Sequence, residues 1–488
     1  MNKNLKSLFI ALLALAVAAP AMAATFEFHG DLNNRMKIYT DQQTWFGNDS
    51  GNQTLDDSDS PSTFASIKYR MWVKASTNDG KAYGVYAIEI GGLRYGAPTR
   101  GSAAVAGSGN PGANGGQSSS GGFSGDGVNV ETRWAYTDFQ LPSVDTTARF
   151  RIGLFTHKVN KFFWAETAMG VKYYTDNWYL AWMRGKDVEA TPGDSWGDNN
   201  LDTLSARYDM KMEPVKLGFF LSYLWRDNGL SSVDVSGLGS FTGSGGTLDD
   251  YAINALPSDI KFDLLVFGVD GSWSTATNHG KFFINWDVMY EVGGVDDTTT
   301  DGGVTTQDLD LAAGLLHTDI GLNFGKTTVT HTLIYATGDD NPDDSDLDGW
   351  IAVDTDNFYS IFFGEGGYTD DDYFSERYYL GDKGVIMNKL ALDYAVDKKL
   401  KLGAAVLYLT TAEDITLANG QTDDELGIEL QAYVSYKLYS NLELAWNIGY
   451  LASGDAMDIF ESGTSPDVGN GTGDVDIIQS TARARFSF

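Results

Sequence analysis

The sequence predicts an all-β fold: a transmembrane antiparallel β-barrel of about 18 strands, with short periplasmic turns and long extracellular loops. Three observations predict it. The chain ends on an alternating strand with a terminal aromatic residue, it begins with an export signal, and strands of one length recur between connections of two unequal kinds.

In the last strand Ala482, Ala484, Phe486 and Phe488 alternate with Thr481, Arg483, Arg485 and Ser487. One greasy and one wet face at period two is the mark of a strand between lipid and water. Phe488 supplies the closing aromatic at the membrane interface. At the other end Lys3 and Lys6 precede the apolar run 8–17, then Pro20 and the small-x-small site Ala21-Met22-Ala23. This reads as a cleaved signal peptide, 1–23, followed by a single barrel domain, 24–488. The apolar run is too short for a spanning helix. The chain has no cysteine, which suits an exported protein built without disulfides.

The strands follow in order. Phe26, Phe28, Gly30, Leu32, Met36 and Ile38 oppose Glu27, His29, Asp31, Asn33, Arg35 and Lys37. Val215, Leu217, Phe219, Leu221, Tyr223 and Trp225 repeat the pattern, as do Phe282, Ile284, Trp286, Val288 and Tyr290. So do the even positions from Leu426 to Leu438 and from Leu442 to Tyr450. Each face runs about 10 residues, the length of a tilted bilayer-crossing strand. Tight turns are signalled at 78–80, 142–143, 176–177, 213–214, 325–326, 397–398 and 440–441. Long polar stretches lie between them at 41–60, 96–126, 227–257, 338–380 and 453–474. The segment 309–324 carries His317 and Asp319 where lipid-facing residues are expected, which predicts a bulge or an early end. The segment 171–184 is short for two strands and a turn.

Composition agrees. Aromatic residues make up 13%, and 56 glycines accompany only 10 prolines, as strands, girdles and loops require. The net charge of -32 excludes nucleic acid as a partner. No Ser, His and carboxylate constellation appears, so no enzyme is expected.

The polar faces sort by sign. Arg35, Lys37, Lys68, Arg70, Lys74, Arg133, Arg149, Arg151, Arg483 and Arg485 fall on strands near the barrel closure, a basic wall. Asp263, Asp287, Glu291, Asp308, Asp310, Asp393, Glu425, Glu429 and Glu443 fall on later strands, an acidic wall opposite. An Arg facing lipid at the midplane would cost ~2–4 kcal/mol, so these charges are expected to line the lumen. Opposed walls set a field across the pore, and the acidic loops tilt the expected selectivity towards cations. The segment 157–164 mixes cations with aromatics and reads as a constriction or an interfacial girdle. The Gly/Ser-rich stretch 101–125 reads as a flexible external loop, with a loop folded inward to narrow the pore as the other reading. Asp344, Asp346 and Asp348, followed by Gly349, have the spacing of half a calcium loop; the stretch reads as a solvated acidic loop or as a site for an extracellular Ca²⁺, and no other cofactor is expected. The Glu of a full loop is missing, and Thr355 stands there.

Gly338-Asp339-Asp340-Asn341-Pro342, followed downstream by Tyr379-Leu380-Gly381-Asp382, resembles the long-loop motif of the alginate-export family of outer-membrane barrels. That resemblance implies an 18-stranded monomeric barrel for an anionic polysaccharide. This chain departs from the family in its half-acidic lumen. The overall layout also resembles the general porins of Gram-negative bacteria, for which a homotrimer is the candidate assembly. The expected function is a water-filled porin of the outer membrane for passive diffusion of small hydrophilic solutes and ions. Two other readings stand beside it: a dedicated export or uptake channel for a polysaccharide or oligosaccharide, and a structural barrel sheathing a partner protein. The expected surroundings are outer-membrane lipid, lipopolysaccharide and the barrel-assembly machinery.

Overall fold

A computed structural model describes residues 24–40, 62–95, 130–141, 147–186, 201–226, 261–299, 306–341, 346–353, 355, 359–363, 368, 379, 383–416, 420–460 and 476–488. The strands are β1 (Ala24–Tyr39), β2 (Ser62–Thr77), β3 (Ala82–Arg94), β4 (Glu131–Gln140), β5 (Arg149–Asn160), β6 (Trp164–Tyr174), β7 (Trp178–Lys186), β8 (Leu201–Met212), β9 (Val215–Arg226), β10 (Lys261–Thr277), β11 (Gly280–Thr299), β12 (Thr306–Phe324) and β13 (Thr327–Ala336). Then come β14 (Asp346–Leu347), β15 (Val385–Ala395), β16 (Leu400–Thr416), β17 (Thr422–Tyr439), β18 (Leu442–Ser453) and β19 (Ile477–Ser487). Each pairs antiparallel with its neighbour, β19 pairs with β1, and the sheet closes. The exception is β14, two residues that run parallel to β12 at Asp310 and Leu311. Eighteen strands therefore make the wall, and β14 is an appendage to it.

Closure leaves no free first or last strand, the condition for a sheet in lipid. The seam is held at its end by reciprocal backbone bonds between Gly30 and Phe488, 2.9 and 3.0 Å. The Phe488 ring lies where a Cβ on Gly30 would stand, so this glycine makes room for the terminal aromatic.

One parity of residues faces out around the whole wall. Phe28, Met71, Ile152, Met169, Leu221, Phe267, Tyr290, Leu390, Val406, Leu430 and Trp446 are exposed large apolar side chains on strands around the barrel. Burying them in hydrocarbon recovers ~25 cal/mol per Å². The other parity, facing in, carries the buried core and the charge clusters around Glu89, Asp138, Asp287 and Glu429.

Several expectations are corrected here. The strand β12 runs unbroken from Thr306 to Phe324, and His317 and Asp319 face inward opposite Asp287 and Asn285. The register shift is in its pairing with β11, between Val295 and Thr298. Asp310 is exposed on the outward parity near the strand's outer end. The side chain of Asp308 lies outside the described residues. In β17, Gly427 takes φ +127°, a conformation open to glycine, and the alternation flips there. Leu426 is therefore buried and Glu425 exposed, the reverse of a regular strand. The segment 171–184 holds the end of β6 and most of β7 around a turn at 175–177, so its strands begin and end beyond it. The turn at 142–143 and the stretch 101–125 lie outside the described residues.

Deleting Phe488 removes both seam bonds and the ring over Gly30. The heat-resistant folded band on a gel is expected to fall several-fold, and Phe488→Leu to retain more of it than the deletion. A deletion variant with wild-type yield and gel shift would contradict the seam.

Candidate functional site

Two segments leave the wall and meet inside it. The first is the β5–β6 hairpin tip. Phe155, His157, Val159, Phe162, Phe163, Trp164 and Ala165 are buried. Gly153 on β5 faces Gly170 on β6 at the level where the hairpin departs, and Gly153 has φ +128°. A side chain on either would strike the neighbouring strand, so the glycine pair permits the bend. The constriction reading of 157–164 is the one this geometry matches.

The second is the β13–β15 connection. The long stretch 338–380 reads in sequence as an external loop, yet its described parts fold inward. Trp350, Ile351, Val353, Ile361, Phe362, Phe363 and Tyr379 are buried among Leu264, Val266, Met289, Leu315, Ile334, Leu407 and Leu451 of the inner wall. The reason is an apolar inner face on β10 to β18 that needs cover, which period-two reading of the outward face does not reveal. Among the described residues, these bonds join the insert to the hairpin tip. Val353 N donates to Phe163 O at 2.9 Å, Trp350 Nε1 and Tyr379 OH donate to Phe162 O at 3.3 and 2.7 Å, and Lys161 Nζ donates to Tyr359 OH at 2.6 Å.

Strand carboxyls hold this insert. Glu429 Oε2 accepts from Ser360 Oγ at 2.5 Å, and its Oε1 accepts from Ile361 N at 2.8 Å and Gln431 Nε2 at 2.6 Å. Glu291 Oε1 accepts from Ile351 N at 2.6 Å. Asp287 accepts from Asn160 Nδ2 at 2.6 Å and lies 2.7 Å from His317 Nδ1. His317 Nε2 sits 2.9 Å from Tyr359 OH and 3.2 Å from Asp319. Burial holds the Lys161 ammonium below the usual lysine range, against the pull of Asp287 and Asp319. Burial, then Asp319, raises the Tyr359 phenol, so it stays neutral and able to donate.

The predicted charges fall as follows. Register puts Arg35, Lys37, Lys68, Arg70, Lys74, Arg149, Arg151, Arg483 and Arg485 on the inward parity of neighbouring strands across the seam. Arg133, at a register shift, reaches Glu89 inside. Asp287, Glu291, Asp393, Glu429 and Glu443 are also inward. Two are not. Asp263 pairs with Trp225 and Gly294 on the outward parity, and Glu425 is turned out by the flip at Gly427. Asp344 lies outside the described residues; Asp346 is exposed on β14, and the Asp348 carbonyl accepts from Thr337 Oγ1 at 2.6 Å.

Sequence reading missed the carboxylates inside the basic wall. Glu89 binds Arg70 at 2.7 Å and Arg133, with Lys68 at 3.8 Å. Asp138 binds Arg149 at 2.5 Å and Arg151 at 2.9 Å, and accepts from Tyr174 OH at 2.6 Å. Asp31 lies 2.8 Å from Arg485 Nε, and Glu443 2.5 Å from Arg483. Lys172 sits 3.9 Å over the Tyr179 ring, and Arg207 bonds Asp270 at 2.5 Å and Asp209 at 2.8 Å. Glu89 and Asp138 stand on the inward parity of β3 and β4, and extending the alternation to those strands would have found them.

No protein-family model matches the chain, and no curated protein sequence does. The alginate-export resemblance is therefore not shown. Solved structures do match. Pseudomonas aeruginosa OpdL aligns at TM-score 0.50 and 10% identity over 95% of this chain and 98% of its own. A BenF-like porin from Pseudomonas fluorescens Pf-5 aligns at TM-score 0.50 and 10% identity over 95% and 98%. The fold is that of the outer-membrane porins.

Glu429→Ala removes two bonds to the insert, from Ser360 Oγ and Ile361 N, and a third that holds the carboxyl to Gln431 of its own strand, each worth ~1.5–3 kcal/mol when a charged group takes part. Single-channel current is expected to rise and flicker more than in the native protein. Glu429→Gln, which keeps an acceptor oxygen, is expected to fall between. Currents in Glu429→Ala that match the native trace would contradict anchoring.

Proposed function

We propose that this chain is an outer-membrane porin, a water-filled channel for passive diffusion of small hydrophilic solutes. The carrying observation is the pairing of a continuous apolar belt outside with a charged lumen inside, narrowed by two folded-in segments. A barrel of 18 strands is wide enough to keep an aqueous path beside such an insert. No catalytic step is needed by this reading.

The charge balance at the narrowing favours anions, the reverse of the expectation from net charge. Glu89 serves three cations and Asp138 serves two, while Lys172 lies against tyrosine. These cations are partly exposed, whereas Glu291 and Glu429 are spent on anchoring the insert and are buried. A solute passing the narrowing meets the basic side. Salt screens over ~8 Å at physiological ionic strength, so the nearer wall dominates. The inward carboxylates of β1 and β18 beside the seam, Glu27, Asp31 and Glu443, are each matched by a cation, Lys74, Arg485 and Arg483.

Lys68, Arg133 and Lys172, all changed to Gln, leave Glu89 with Arg70 and Asp138 with Arg149 and Arg151. The zero-current potential across a salt gradient is expected to move towards cation selectivity, most in dilute salt. A potential unchanged from the native protein would show that these cations do not face the conducting path. Solute entry into vesicles that is absent even for small neutral sugars would overturn the porin reading itself.

A further inference from the structure

The β5–β6 hairpin does more than narrow the lumen. On one side β4 pairs with β5 only from Arg149 to Leu154. On the other β7 pairs with β6 only from Tyr174 back to Met169. Beyond those levels the two arms pair with each other, through to Asn160 and Trp164. Among the described residues, 164–168 have no strand partner on the β7 side. Leaning inward thus opens the wall between β6 and β7.

A cavity of about 630 Å³ fills that opening. Its lining comes from both faces of the sheet. Ile152, Met169 and Trp182, 45, 60 and 38% exposed, are of the outward parity and belong to the lipid belt. Trp164, Leu224 and Val353 are buried at the inner end, where Val353 belongs to the insert bonded to Phe163. The cavity therefore crosses the wall from the acyl-chain side to the packed side of the lumen. Its size is that of a small-molecule site, roughly 300–1,000 Å³.

Its charges select among ligands. Arg184 at the mouth is gripped by both oxygens of Asp202, at 3.0 and 3.1 Å. The inner carboxylate, Glu166, accepts from Thr167 N at 2.6 Å and keeps a second oxygen. Thr203 adds a hydroxyl. An anionic head would meet Glu166 with no cation to spare, while a hydroxyl head finds acceptors and a donor. We propose that the gap between β6 and β7 is a lateral binding site for a neutral single-chain amphiphile, its alkyl chain among Ile152, Met169 and Trp182 and its hydroxyl towards Glu166 and Thr203. This rests on the membrane-barrel reading and goes beyond passage through the lumen.

Trp164 and Trp182 line the cavity and report on it. The folded barrel in phosphatidylcholine vesicles is titrated with a terminally brominated dodecanol, whose bromine quenches indole fluorescence. The expected result is a saturable quenching component. Ala168→Leu and Thr203→Leu, which fill the cavity, are expected to weaken it about tenfold, a factor equal to 1.4 kcal/mol. Trp164→Phe with Trp182→Phe should remove the component while leaving the alcohol bound. Quenching that rises in proportion to membrane content and is equal in Ala168→Leu overturns the site, as simple partition into lipid would give that. Equal affinity for the brominated carboxylate overturns the neutral ligand. The heat-shifted gel band and channel current of each variant are read in parallel, so a failed barrel is distinguished from a failed site.

Discussion

Everything in this molecule depends on the closed backbone ladder between β1 and β19. In hydrocarbon an unpaired strand edge has no water to bond, and each orphaned group costs several kcal/mol. Once the ring is closed, parity is set for every strand, because a slip of one residue would exchange belt and lumen. The bonds between Gly30 and Phe488 complete that ring, and the ring over Gly30 fixes its last pair. The sorting of exposed apolar side chains to one face around the barrel follows from it.

The interior follows a second constraint. A barrel this wide cannot be filled by strand side chains alone. The half of the lumen walled by β10 to β18 is lined with apolar residues, and the β13–β15 connection covers them. Backbone brought inside must find partners. Glu291 and Glu429 take the amides of Ile351 and Ile361, and Ser360 turns its hydroxyl back to Phe362 and Phe363 N at 3.0 and 2.8 Å. The buried carboxyls thus serve backbone satisfaction, and the basic side keeps contact with the water path. Opposed walls give way to local groups in which several cations share one carboxylate.

Much of the fold was legible and less of the site. Alternation in 26–38, 215–225, 282–290 and 442–450 marked the lipid face without help from tertiary structure, since lipid imposes one rule on one parity. The rule weakens beyond the hydrocarbon, where Asp263, Asp310 and Glu425 stand outward near the strand ends. A single glycine, Gly427, was enough to invert the phase. The inward fold of Ile351, Tyr359, Ser360 and Ile361 was hidden because their partners are Glu291, His317 and Glu429, far away in sequence. The hairpin tip at 157–164 was noticed for its aromatics, but only the pairing of β5 with β6 distinguishes a constriction from a girdle.

In the proposed porin, solutes pass along the basic side while the insert packs against the opposite half. Single cysteines can be placed at Lys172 on the open side and at Ile334 beneath the insert, since the native chain has none. A bulky, water-soluble thiol reagent is then applied to single channels. The account predicts current block at position 172 and no reaction at position 334 until the insert is loosened. Rapid block at 334 with none at 172 would contradict it.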